Sequence, residues 1–441
     1  MFEQYKQLLQ EFIRFKSIST DANFQSEIKK AVDWLKNLFQ VNGFQVQVFE
    51  GYDNPIVLAS YQVDPNLKTA LIYGHYDVQP AEKADGWNSE PFELTERENR
   101  LFARGAIDNK GQVMVHLVNA FEQIKNKTLG YNLKFLIEGN EETGSGKIEK
   151  FIQDNQELLK ANFVLLSDGE ISGGQPNLEV GFRGGFNLTL TVKTGKVDLH
   201  SGIFGSAAPN ALHELFRILN QIFDWQENKI VIPEFYDSVE PVDEEIKKNN
   251  RQIPFKQSEY EKMTGCKALL LEQGNDFYTQ TGLRPAIEIT GLVGGYAGEG
   301  YKNAIPYQAQ AKINFRLTAE QKPEKVFELF KNWLAKIMPE YLDFELEQSS
   351  PYEGVKLEIN NQYVEKAKQV LEQVWQDQVI FKYVGGGLPI VTYFNQILQI
   401  PQLLVPLASE DCAMHGANEN FDLGYWQKAM AFSEQFLKSN Q

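Results

Sequence analysis

The sequence predicts an α/β protein, a helix-covered mixed β-sheet domain interrupted by an inserted α+β domain. Three observations carry this. Apolar runs that end in polar, carboxylate-rich loops and lead into amphipathic helices recur through the first 182 residues, the grammar of a sheet covered by helices. After Gly181 the grammar changes: Phe186, Leu188, Leu190 and Val192 alternate with polar neighbours, as in a half-exposed antiparallel strand. From about Tyr352 the first pattern resumes. At 441 residues the chain exceeds one ordinary core. Residues 1–182 with 351–441 therefore read as one domain and 183–350 as the insertion.

Helices are predicted over residues 2–15 and 25–40, the second with Ile28, Ala31, Trp34, Leu35 and Leu38 on one stripe and Asn42-Gly43 as its stop. Strands follow over 44–49, 56–61 and 69–73, then a loop over 77–90. A strong helix is predicted over 111–124, a buried strand over 131–137, a helix over 148–159 and a short strand over 163–166. The insertion carries strands over 184–193, 286–291, 308–317 and 342–348, with helical stretches over 209–223 and 323–337. The returning segment has a helix over 362–375, a Gly-rich turn, a strand over 403–407, a polar loop over 409–419 and a last helix over 425–437.

The formal net charge of −16 argues against nucleic acid or an anionic membrane surface as partner. Cys266 and Cys412 are neither a disulfide framework nor a zinc-finger spacing, and so few cysteines fit a reducing compartment. Residues 1–16 mix charges into helical spacing and lack a signal peptide's apolar centre. No run reaches the ~18 apolar residues of a membrane helix. The expectation is a soluble cytoplasmic protein.

Chemistry gathers at the strand ends. His75 and Asp77 follow the run that ends at Tyr73, and residues i and i+2 of an extended chain point to one side. Open α/β sheets bind ligands beyond the carboxyl ends of their strands. Asp108, the pair Glu141-Glu142, Asp168 and His415 stand at further ends. Two histidines with several carboxylates suit zinc, manganese or cobalt better than a thiolate metal or calcium. There are more carboxylates than one tetrahedral zinc needs, which points to two ions sharing one of them, ~3.5–4 Å apart. Glu141-Glu142 can offer one carboxylate to a metal and keep the other as a base.

His75-Tyr76-Asp77-Val78-Gln79-Pro80, Arg104-Gly105-Ala106-Ile107-Asp108-Asn109-Lys110-Gly111, Glu138-Gly139-Asn140-Glu141-Glu142-Thr143-Gly144-Ser145 and Asp198-Leu199-His200-Ser201-Gly202 occur in that order. Along its whole length the chain resembles the M20 metallopeptidases: aminoacylases, desuccinylases, glutamate carboxypeptidases and carnosinase-like dipeptidases. It is most similar to the dipeptidase branch. The resemblance implies a catalytic domain with an inserted lid that dimerises. It implies that His75 and Asp168 bind one metal, Glu142 and His415 the other, and that Asp108 bridges both, with a cis bond to Asn109. Asp77 would orient His75. Glu141 would be the general base, passing a proton from the attacking water to the leaving amine. His200 would stabilise the oxyanion, from the partner subunit in dimeric relatives, and Arg316 would hold the substrate's free carboxylate.

Three positions depart from the family pattern. Asn109 stands where Asp is usual, with little effect expected because that side chain is not a ligand. Asn303, in Lys302-Asn303-Ala304-Ile305-Pro306, replaces a common Thr, and Gly387 replaces the Ser of Gly-Gly-Ser. Asn303 and Gly387 are implied to touch substrate. His116 and His213 read as ordinary helix residues and Asp243-Glu244-Glu245 as a solvated face. Gly294-Gly295 and Gly385-Gly386-Gly387 lack the Lys-Ser/Thr of a phosphate loop. The expectation is a homodimeric hydrolase with two divalent ions, zinc first and manganese or cobalt as alternatives. It would cleave dipeptides or similar small amides with a free C-terminal carboxylate. The alternatives are an N-acyl-amino-acid deacylase, a carboxypeptidase or a catalytically inactive metal-binding module.

Overall fold

In spatial order the main sheet runs Gln45–Phe49, Ile56–Tyr61, Asn132–Glu138, Thr69–His75, Phe163–Leu166, Gln402–Leu404, Asn177–Phe182 and Val355–Lys356. Ile380–Val384 pairs parallel to Asn177–Phe182 as the ninth strand. This computed structural model describes residues 1–439, so the last two positions of the 351–441 segment lie outside the described residues. The four central strands, from Asn132–Glu138 to Gln402–Leu404, are mutually parallel. Their carboxyl ends therefore open on one edge. Parallel neighbours need crossovers, and the helix Lys110–Asn126 lies in the connection between Thr69–His75 and Asn132–Glu138.

Both faces of the sheet are buried. Along the central strand Ala70 and Ile72 join one core and Leu71 and Tyr73 the other, as a period of two requires. On the first face Phe12, Leu35, Val115, Val370 and Phe432, from five helices, close over Phe135 and Leu165. On the second, Phe151, Ile390 and Phe394 close over Leu136 and Val164.

The insertion has its own four-stranded antiparallel sheet, ordered Ala286–Gly294, Gln308–Leu317, Gly184–Lys193 and Asp343–Tyr352. The helices Ala211–Leu219 and Pro323–Ile337 share its core, where Phe186 stacks on Phe315 with centroids 4.4 Å apart. The edge strand Ala286–Gly294 leaves Ile289, Leu292 and Val293 exposed. The chain enters and leaves the insertion at one place, since Phe182 pairs with Val355 in the main sheet.

Parts of the 183–350 range fold back. Two helices absent from the sequence reading, Glu244–Asn250 and Phe277–Leu283, lie against the ninth strand. The Asn249 side-chain amide donates to the carbonyl of Phe381 at 2.5 Å and accepts from its N–H at 3.2 Å. The expected helix over 148–159 is two, Ile148–Asp154 and Gln156–Leu159. Asn155 breaks it by donating its own amide to the carbonyl of Phe151. The strand expected over 69–73 runs on to His75, and that over 403–407 is only Gln402–Leu404. No described helix is long and apolar enough to cross a membrane.

Candidate active site

The strand Thr69–His75 delivers a fully buried imidazole to the open edge of the sheet. Gly74 precedes it because nothing larger fits: a Cβ there would lie 2.7 Å from Asn109 Oδ1 and 2.8 Å from Val113 Cγ2. Close packing at Gly74 thus brings the start of the helix Lys110–Asn126, and Asp108 ahead of it, onto the strand end. The bond from Asp108 to Asn109 is cis.

Five of the expected ligand residues converge. His75 Nε2 lies 3.0 Å from Asp108 Oδ1 and 3.6 Å from Asp168 Oδ2. His415 Nε2 lies 2.8 Å from Asp108 Oδ2 and 3.3 Å from Glu142 Oε2. They form two groups, His75 with Asp108 and Asp168, and Asp108 with Glu142 and His415, each with donor atoms within 4.8 Å of one another. Asp108 belongs to both through its two oxygens. Imidazole nitrogens and carboxylate oxygens at this spacing fit a pair of divalent ions.

Asp77 does more than face His75. Its Oδ1 is 3.3 Å from His75 Nδ1, while its carboxylate accepts from the backbone N–H of Glu141 at 3.3 Å, that of Glu142 at 3.1 Å and Ser19 Oγ at 2.7 Å. One buried carboxylate thus fixes the imidazole and the Glu141-Glu142 turn together. Gln79 Nε2 donates to Glu142 Oε2 at 2.6 Å, a contact the sequence reading missed.

A second anchor, also missed, holds the far loop. Glu419 is fully buried and accepts from Arg104 Nη1 at 2.6 Å and from the N–H groups of Gly105, Ile107 and Asp108. Arg104 Nη2 in turn donates to the carbonyl of His415 at 3.0 Å. The backbone of Asp108 and that of His415 are therefore tied through one ion pair. A buried arginine in Arg104-Gly105-Ala106-Ile107-Asp108 was the available signal.

Burial disfavours charge on His75, yet Asp168, Asp108 and Asp77 outweigh it and hold the imidazole well above its ordinary range. Hydrogen bonds to Asp108 and Glu142 raise His415 to about 10. Burial raises Asp108, but the bonds from His415 and His75 prevail and keep its carboxyl below the usual range. Glu141 is raised, by burial first and then by Asp168, Asp108 and Asp77. The pocket concentrates negative charge that a cation would relieve.

The remaining expected residues lie apart. His200 is exposed on the insertion, where its Nδ1 accepts from the N–H of Gly202 at 3.0 Å. Asn303 stands beside it, its carbonyl accepting from the N–H of Ser201. Among the described residues His200 shares no hydrogen bond or ion pair with the ligand groups. Arg316 and Gly387 meet through Tyr352, whose hydroxyl accepts from Arg316 Nη1 at 2.7 Å and whose ring covers Gly387. His116 is buried between the Ser433 and Ser167 hydroxyls, and His213 is an exposed helix residue, as expected.

Two ligand groups joined by one carboxylate, at the carboxyl edge of a parallel sheet, define a centre built for two metal ions. Residues 71–439 match the family described as Peptidase family M20/M25/M40, and the chain belongs to that family. It is 30% identical over 393 residues to the Beta-Ala-His dipeptidase of Rattus norvegicus, covering 87% of this chain and 80% of the relative. It is 28% identical over 460 residues to the Cys-Gly metallodipeptidase DUG1 of Saccharomyces cerevisiae, covering 99% and 95%. Among solved structures, the M20 family metallo-carboxypeptidase Sso-CP2 from Sulfolobus solfataricus superposes with a TM-score of 0.88 at 29% identity, covering 98% of each chain.

Proposed function

We propose that this M20 peptidase hydrolyses the amide bond of dipeptides, or similar small substrates, that carry a free C-terminal carboxylate. The observation that carries the reading is the Asp108 carboxylate shared between two ligand groups, with Glu141 beside it in the same turn as Glu142. His75, Asp108 and Asp168 would hold one divalent ion and Asp108, Glu142 and His415 the other. The donor chemistry favours zinc, with manganese or cobalt able to replace it. Bound there, the ions would polarise the scissile carbonyl and bring a water's pKa towards neutrality.

Glu141 is the general base, taking a proton from the attacking water and returning it to the leaving amine; burial, then Asp168, Asp108 and Asp77, raise its carboxyl. Asp77 keeps His75 oriented and the Glu141-Glu142 turn in place. Arg316 receives the substrate carboxylate, Asn303 and Gly387 line the substrate, and His200 supplies a donor to the oxyanion. Residues 1–182 and 351–441 act as the catalytic domain and 183–350 as the lid.

The same reading includes a homodimer. The exposed edge Ile289, Leu292 and Val293, with Ile203 and Phe204 also exposed on the insertion, supports self-association, and exposed His200 would then reach the partner's site. Cys266 and Cys412 are both free, in keeping with a cytoplasmic enzyme.

The test is to supply zinc, manganese or cobalt and compare dipeptides with N-acetyl and N-succinyl amino acids and with longer peptides. Dipeptide cleavage is expected. Preference for acylated amino acids would replace the reading with a deacylase, and stepwise shortening of longer peptides with a carboxypeptidase. Absence of hydrolysis with all three metals would make it a metal-binding module.

A further inference from the structure

We propose that Tyr352 grips the substrate's C-terminal carboxylate together with Arg316, and that the absence of a side chain at Gly387 is what admits it. This deepens the dipeptidase reading and rests on it. The phenol oxygen accepts from Arg316 Nη1 at 2.7 Å, so the phenol's own hydrogen is directed elsewhere and is free to donate. A carboxylate on Arg316 would then meet the remaining guanidinium N–H groups and the Tyr352 O–H together.

The ring can stand there only because residue 387 is glycine. A Cβ at that position would lie 2.2 Å from Tyr352 Cε2 and 2.5 Å from its hydroxyl oxygen. Any side chain would push the ring aside and take the hydroxyl off Arg316.

The surroundings select an anion. Arg183 Nε donates to the carbonyl of Gly385 at 2.8 Å and its Nη1 to that of Arg284 at 3.0 Å. Among the described residues neither Arg183 nor Arg316 is paired with a carboxylate. Burial, then the neighbouring charge of Arg316, bring Arg183 down to about 10. Two guanidiniums and a free O–H therefore stand together with no carboxylate bonded to them among the described residues, Glu288 being the negative charge nearby, and a planar carboxylate complements that set.

The experiment measures kcat and KM for a panel of alanyl dipeptides and for the same dipeptides amidated at the C-terminus, in the metal-loaded wild type, Tyr352→Phe and Gly387→Ser. Tyr352→Phe should raise KM for the free acids about tenfold, leave kcat within about twofold and leave the amides unchanged, as loss of one bond to a charged group predicts. Gly387→Ser should lose the same preference. A Tyr352→Phe enzyme that keeps the whole wild-type preference for the free acid overturns the proposal alone. A wild type that cleaves acid and amide equally overturns the carboxylate-directed reading and the proposal with it.

Discussion

Asn109 Nδ2 donates to Asp168 Oδ1 at 2.8 Å, while Asn109 Oδ1 accepts from the N–H of His75 at 3.3 Å. The side chain thus spaces the two residues of one ligand group and leaves Asp168 Oδ2 to face the imidazole. An amide donates on one side and accepts on the other, whereas an ionised carboxylate can only accept. In Asn109→Asp the donor becomes a second carboxylate against Asp168. The metal-free variant should unfold about 1–3 kcal/mol more easily. Added zinc should then raise its melting temperature by more than it raises the wild type's, since a cation relieves the new repulsion. Equal increments would show that the amide does not set the charge of this group.

Glu141→Ala should separate binding from chemistry. Turnover is expected to fall by ~10²–10⁴, the usual share of a general base. Metal content after dialysis should stay at the wild-type level, because Glu141 belongs to neither ligand group. Loss of metal along with activity would reassign the residue to binding.

Glu419→Gln should act at a distance from the substrate. It removes the charge opposite Arg104 and leaves that guanidinium buried and uncompensated, at a cost of about 3–5 kcal/mol. The loops that carry Asp108 and His415 share this anchor, so the affinity for the metal should fall as well. Denaturant unfolding and a metal titration on the same sample check both. Unchanged affinity would confine the ion pair to stability.

His116 gives an acid-side signature. Burial brings it down to about 3. The unfolded chain titrates near 6.5, so below that pH it binds more protons than the fold does. This contribution is complete above about pH 6.5 and is lost as pH falls towards 3, on the order of 5 kcal/mol in all. His116→Asn should therefore lose less stability than the wild type between pH 7 and pH 4.5 in denaturant titrations. An equal loss would place the acid sensitivity elsewhere.

The helix-covered sheet, and the strand ends where His75, Asp108, Glu142, Asp168 and His415 gather, were legible because each rests on a local pattern: an apolar run, then a carboxylate or histidine at its end. What escaped depends on contacts between distant segments. Asn109 was set aside because its side chain is not a ligand, and its work lies in bonds to residues 34 and 59 positions away. Tyr352 sits in an unremarkable Pro-Tyr-Glu, and only the fold lays it over Gly387. The helix Glu244–Asn250 is short and rich in Glu, Lys and Asn, with no apolar stripe to announce it. The strand Asn177–Phe182 does alternate, through Leu178, Val180 and Phe182, but it is buried throughout and carries the buried carboxylate Glu179, which a polar-out pattern disguises.

Phe182 and Val355 are paired where the chain leaves the main sheet and returns to it, and Gly184 and Gly354 stand back to back just beyond. Two adjacent crossings make an axle. A swing of the inserted sheet about that axle would leave every hydrogen bond of the main sheet intact. The clasp of Asn249 on Phe381 lies off the axle. It would restrain such a swing: the helix Phe277–Leu283 on the ninth strand gives way after two residues to the edge strand Ala286–Gly294, so the four-stranded sheet is tied to the main sheet at a second place.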